Sequence, residues 1–300
     1  MENNQSSMTS LVCLFGRAYH SLYDNPKIFD DFLARNLLTD EEFTQISGYL
    51  AGGIKFFDPE NADAFLSPQA ALKWVVQTQI APLLLTRARY CEDKLTNELA
   101  LGIEQYVILG AGMDTFAFRN PELLESISVF EVDYPATQQN KLDRIKVAKW
   151  RIPNNLHFVP IDFTASKLID RLKLTTFDYS KRTYLSWLGV TQYLSQENML
   201  QILKEIISII PKGSSIVFDY ANDKSHSSEQ SRKISAMAQA AGEPMKSCYG
   251  FEELESALKQ IGWSIYEHLT PQELEEKYFQ DREDYYHAAE NTNLIHAFVK

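Results

Sequence analysis

YVILGAGMDTFAFR, residues 106–119, is the stretch on which the fold turns. Tyr-Val-Ile-Leu is apolar without alternation, which suits a strand covered on both faces. It ends in Gly110-Ala111-Gly112, two glycines one residue apart. A tight turn after a strand needs a residue free to take unusual dihedrals, and close approach of a ligand needs a residue without Cβ. The dinucleotide fingerprint continues with Gly or Ala three residues after the second glycine, and here that place is Thr115. There is no GKS/T phosphate loop either. A strand, a glycine turn and a nucleoside without a pyrophosphate are what this stretch predicts.

Working outward, QYVILG, VFEVD, HFVPIDF, TYLSWLGV and SIVFDY are short apolar runs separated by longer helical segments. That alternation predicts five parallel strands with helices on both faces. GWSIYEHL and NLIHAFVK follow, and suit an edge hairpin whose last strand inserts antiparallel. Upstream, FDDFLARNLL and PQAALKWVVQTQIAPLLLTRARYCEDKL carry apolar residues at helical spacing, with turns at Gly52-Gly53 and Asp58-Pro59. Pro82 should kink or divide the second of these helices. The polar, Ala/Ser-rich segment 222–245 falls where a lid over the sheet's carboxyl edge could sit. The expected architecture is one α/β domain, with residues 1–100 a helical cap of that same domain and 101–300 the core.

Composition narrows the partners. With 29 Lys and Arg against 40 Asp and Glu, the formal charge is −11, and no dense basic block offsets it. This argues against nucleic acid or an anionic membrane surface as partner. Cys13, Cys91 and Cys248 are odd in number and far apart, without a CxxC or Cys/His spacing, so neither a disulfide framework nor a metal site is expected. A cytoplasmic location fits that cysteine usage. The longest apolar run near the start, LVCLF, is too short for a signal peptide or a membrane span. Oligomeric state is not legible.

Two acids follow the glycine turn in order. Glu131 and Asp133 close the second strand, with Asp133 21 residues beyond Gly112, and Asp162-Phe163 ends HFVPIDF. A carboxylate at the second edge can accept both ribose hydroxyls. A carboxylate followed by an apolar residue at the third can take an adenine amino proton while its neighbour covers the ring. Taken singly, each acid reads more simply as a solvated strand end or a helix cap; the ordered series carries the inference. It matches the S-adenosylmethionine pocket of class I methyltransferases.

GAGMDTFAFR, EVDYPATQQNK and GVTQYL together resemble the leucine carboxyl methyltransferase family, which also includes polyketide O-methyltransferases. The likeness runs from about Pro68 to Tyr220 and, more loosely, through the C-terminal strands. It implies a Rossmann-like class I methyltransferase fold with a seven-stranded, mostly parallel sheet. It also implies S-adenosyl-L-methionine as cofactor, with Gly110 and Gly112 along its methionine part, Asp133 on the ribose, and Asp162 with the Phe163 backbone on adenine. An arginine before the first strand binds the cofactor carboxylate in the family. In TRARYCED it is Arg87 or Arg89, and place in the motif favours Arg87. Some relatives carry a glutamate just before the glycine of the fourth-strand motif, where this chain has Leu188.

The expected activity is methyl transfer to a carboxylate or hydroxyl, with a small molecule as acceptor. No catalytic residue is assigned. The six histidines are scattered, and no base has a clear position, which favours a carboxylate or an acidic phenol. Two other readings are a non-catalytic S-adenosylmethionine-binding module and a nicotinamide oxidoreductase. Thr115 opposes the latter, and none of the Tyr-x-x-x-Lys runs YDNPK, YCEDK and YANDK is placed for that chemistry.

Overall fold

The computed structural model describes residues 7–163, 165–223, 229–240 and 242–300. Its centre is a seven-stranded sheet: β1 (Gln105–Leu109), β2 (Ser128–Asp133), β3 (Leu156–Pro160), β4 (Thr183–Trp187), β5 (Ser215–Ala221), β6 (Trp263–Leu269) and β7 (Thr292–Val299). The order across the sheet is β3-β2-β1-β4-β5-β7-β6. The first five strands are parallel, and β7 runs antiparallel to both β5 and β6. All seven strands and the inserted last strand thus fall where the apolar runs predicted. The hairpin is not tight, because the helix Pro271–Tyr278 lies between β6 and β7.

Strands without polar alternation need two covered faces, and the packing supplies them. Every residue of β1 and β4 is buried. Tyr106, Ile108, Val129, Tyr184 and Val217 point into one apolar cluster, together with Phe15, Leu37, Leu50 and Leu85 of the N-terminal helices. Val107, Phe130, Leu185 and Phe218 point into the other, with Leu168, Leu203 and Leu258 from helices that follow β3, β4 and β5. Each such side chain contributes about 1.5–3 kcal/mol on burial. Removing the N-terminal helices would expose much of one face.

One departure from expectation has a local cause, and one expected break is seen. The segment FDDFLARNLL forms only a 3-10 turn, Ala34–Leu37. Its acids are spent on tertiary partners: Asp30 accepts from Ser21, and Asp31 accepts from Arg17 and Thr115. In the longer helix, Pro82 divides the run as its missing N–H requires. Pro68–Val75 and Ala81–Ala100 are regular, and Val76–Ile80 between them is a π-turn closed by Ala81 N–H donating to Val76.

Candidate active site

The carboxyl ends of β1 to β4 open into a cavity of about 440 Å³, roofed by the N-terminal helix Met8–Tyr23 and by residues 242–246. Its floor is the glycine turn. Gly110 and Ala111 donate N–H groups to Val132 O at 2.8 and 3.2 Å, which staples the turn to β2. Gly110 has φ +72° and Gly112 φ +52°, both in the left-handed region. The space at Gly110 is not reserved for a ligand, however: a Cβ there would overlap the Val190 side chain of the loop after β4.

Asp133 ends β2 beside this turn. Its Oδ2 accepts the Gly112 N–H, and its Oδ1 accepts the Tyr134 N–H at 2.6 Å. Burial pushes its carboxyl up, opposed by those two backbone donors. Asp133 forms no ion pair among the described residues, and each oxygen keeps further lone-pair capacity. Glu131, two residues earlier, has a different task. It is buried against Lys141, six residues after Pro135, so the acid and lysine of this motif brace β2 and its following helix. The strand edge continues through Ile161 N–H, which donates to Asp133 O at 2.8 Å. This brings Asp162 and Phe163 onto the same cavity wall.

The two candidate arginines separate. Arg89 sits half-exposed and pairs with Asp93, its Nε 2.9 Å from Oδ1. Arg87 points the other way and lines the cavity, with Nη1 donating to Asp219 Oδ2 at 3.2 Å and Nη2 3.9 Å from Cys13 Sγ. Leu188 also lines the cavity, so the position that holds a glutamate in some relatives is apolar here.

Along the cavity wall beside the turn runs a network that the sequence reading did not find. Thr115 donates to Asp31 Oδ1 at 2.6 Å, and Arg17 Nε donates to Asp31 Oδ2 at 2.8 Å. Arg17 Nη2 also donates to Met113 O at 2.7 Å. Arg119 Nε donates to Thr115 Oγ1 at 2.9 Å, and its guanidinium pairs with Glu92. The Thr and Arg of GAGMDTFAFR, four residues apart, therefore lock the N-terminal helices to the glycine turn. The signal was present in that spacing, but its partners at 17, 31 and 92 are distant in sequence.

Of the described histidines, none lines the cavity. His157 stacks on Phe130 with ring centroids 4.8 Å apart, and His20 is buried in a bond to Asp24 while its Nε2 accepts from Ile28 N–H. His226, and residues 224–228 and 241 of the expected lid, lie outside the described residues. Within that segment, Glu229–Ala240 is helical and Gly242, Glu243 and Pro244 line the cavity. The described residues contain no group of three or more His, Cys, Asp or Glu placed to hold a metal ion, and no helix long and apolar enough to cross a membrane.

Comparison with known proteins places this geometry. The leucine carboxyl methyltransferase family model matches residues 10–207. YktD of Bacillus subtilis (strain 168), itself an inferred S-adenosyl-L-methionine-dependent methyltransferase, is 47% identical over 305 residues, covering 100% of both chains. An inferred methyltransferase of the same cofactor from Mycolicibacterium vanbaalenii is 30% identical over 140 residues, 47% of each chain. Among solved structures, a DUF574 family protein from Streptomyces avermitilis superposes with a TM-score of 0.60 at 12% identity, covering 99% of both chains. At that identity the likeness is one of fold.

Proposed function

This chain belongs to the leucine carboxyl methyltransferase family, and we propose that it methylates a carboxylate or hydroxyl oxygen of a small molecule held in this cavity. It is an S-adenosylmethionine-dependent methyltransferase, as the family match and the full-length relative establish. The reading rests on one observation: Arg87, Gly112, Asp133, Asp162 and Phe163 line a single continuous cavity along the carboxyl edge of parallel strands.

The residues present fit the cofactor. A cavity of about 440 Å³ is within the usual range for small-molecule sites. Arg87, engaged by Asp219 and weakly by Cys13, keeps donors for the carboxylate of the amino-acid arm. Asp133 keeps acceptor capacity for the ribose diol, and Asp162 with Phe163 would receive the adenine. Gly110 and Gly112 would lie along the methionine part. When bound, the cofactor supplies a methyl carbon on a cationic sulfur, an electrophile whose leaving group needs no proton.

The chain's own contribution is then alignment and exclusion of water. Leu84, Leu188, Val190 and Leu194 are among the apolar residues of the wall. The acceptor's ionisation decides whether a base is needed. With no described histidine in the wall and the Tyr193 phenol pushed up by burial, an acceptor already ionised near neutrality is favoured, which points to a carboxylate ahead of a phenol.

The test is methyl transfer from methyl-labelled cofactor to a panel of carboxylate and phenolic metabolites, with native small-molecule extracts included. The expected product is a small molecule whose label is released as methanol by mild alkali, the behaviour of an ester. An alkali-stable oxygen ether would move the acceptor to a hydroxyl. A nitrogen- or carbon-linked label, or label found only on protein, would overturn the oxygen, small-molecule reading.

A further inference from the structure

Leu188 leaves the fourth-strand edge without an acid of its own, yet an acid reaches this edge from the neighbouring strand. Asp219 lies on β5, fully buried. Its Oδ1 accepts the Gly189 N–H at 2.6 Å, and its Oδ2 accepts from Arg87 Nη1 at 3.2 Å. Its own carbonyl accepts the Thr191 hydroxyl at 2.6 Å, which fixes the loop after β4 on both sides of Val190. Gly189 has φ +71°, and a Cβ added there would stand 2.6 Å from Arg87 Cζ. The guanidinium therefore lies flat on a residue that cannot carry a side chain, tethered at one nitrogen by a carboxylate that does not itself line the cavity.

From this we infer that Asp219 and Gly189 are positioning residues that hold Arg87 ready for the carboxylate of the cofactor's amino-acid arm. The inference rests on the proposed cofactor placement above. The physical case is one of preorganisation. An arginine loses much side-chain freedom when it is fixed, and a site that has already ordered it does not lose that again on binding. The tether at Nη1 and the flat contact with Gly189 together restrict the guanidinium, while the long Nη2 contact to Cys13 leaves donors to a ligand. Asp219 also needs no solvent to remain satisfied, since a backbone N–H and a cation occupy its two oxygens. The same carboxylate holds Gly189 N–H and Arg87 together, so the loop after β4 and the arginine cannot move independently.

A ligand pair isolates the effect. S-adenosylhomocysteine and 5′-methylthioadenosine share the adenosine and a neutral thioether, and only the former carries the amino-acid arm. Calorimetric titration of the whole protein gives both dissociation constants. Asp219→Asn should weaken S-adenosylhomocysteine about three- to tenfold, the factor equivalent to that ordering cost, and leave methylthioadenosine within about twofold. Gly189→Ala, which crowds the same guanidinium while keeping the N–H that the carboxylate accepts, should show a loss of the same selectivity and larger size. In Arg87→Ala the further change Asp219→Asn should have no added effect on S-adenosylhomocysteine, because the group being positioned is gone.

Equal weakening of both ligands in both variants would make Asp219 merely structural. Unchanged or tighter S-adenosylhomocysteine binding in a folded Asp219→Asn protein would overturn the proposal outright, since the carboxylate would then be competing with the ligand for Arg87. Failure of the wild-type protein to bind either ligand is a separate outcome, and removes the cofactor placement on which the inference stands. Should Asp219→Asn fail to fold, Gly189→Ala and Arg87→Ala carry the same comparison alone.

Discussion

Two acids grip the segment 110–115 from opposite sides, and they are held in different ways. Asp31 also borders the cavity, but it is enclosed by Arg17 and Thr115 at hydrogen-bond distance and Arg119 Nε at 3.5 Å. Asp133 stands at the cavity, where it accepts only two backbone N–H groups, and burial pushes its carboxyl up. A carboxylate ringed by cations has its charge answered inside the protein, and its work is to hold elements together. A carboxylate given only neutral donors, and facing a cavity, has capacity left for a ligand's hydroxyls. Sequence alone does not distinguish the two, since both are acids beside apolar residues.

Breaking the clamp should have the largest effect. Asp31 is almost wholly buried, and Asp31→Ala strands Arg17 and frees Thr115 and Arg119. Loss of one partner in a buried ion pair costs about 3–5 kcal/mol, so denaturant unfolding of this variant should show a drop of that order. If stability held and only ligand affinity fell, Asp31 would belong with Asp133 and the contrast would fail.

The reverse result is expected at the other acid. Asp133→Ala should weaken S-adenosylmethionine by one to two powers of ten, about 1.4–2.8 kcal/mol, measured by calorimetric titration. Its effect on unfolding should be smaller than that of Asp31→Ala, because only two backbone donors lose a partner. An affinity unchanged in this variant would remove the ribose assignment.

The smallest expected effect sharpens the comparison from the edge of the clamp. Arg144 reaches Glu42 with Nη1 at 2.8 Å and Nη2 at 2.6 Å, tying the helix Asp40–Gly52 to the helix Pro135–Val147. Hydrogen bonds from Arg144 hold the Glu42 carboxyl down to about 2. A folded-state value below the ordinary carboxylate range means stabilisation that is present above about pH 4.5 and lost as pH falls towards 2. The pair is partly exposed and solvent-screened, so its worth is about 1 kcal/mol or less. Glu42→Gln should accordingly lower stability at neutral pH by about 1 kcal/mol or less, leave it almost untouched near pH 2, and so flatten the acid limb slightly; an unchanged acid limb would count against the pairing.

The fold was open to reading because its signals are local. Five unalternating apolar runs with helices between them admit few arrangements, and the glycine turn marks the first crossover. Asp133 and Asp162 were equally accessible, each lying a residue or two from a strand end. Asp31 was read as part of a helix because FDDFLARNLL has helical spacing, and the pull of Arg17 and Thr115 on its acid is not a property of that segment. Asp219 was hidden for the same reason. It is a polar residue inside an otherwise apolar strand, and its partners at 87 and 189 meet it only when β4, β5 and the helix Ala81–Ala100 are assembled.

The insertion of β7 has a consequence for how the chain is made. β6 pairs with β7, and the free margin of β5 is closed by β7 as well. A nascent polypeptide that has emerged through residue 291 thus carries two unsatisfied rows of backbone donors and acceptors, one on each side of a gap one strand wide. Translation must deliver residues 292–299 before either row is closed, so a ribosome paused upstream would leave exposed the surfaces that chaperones recognise and neighbouring chains can invade.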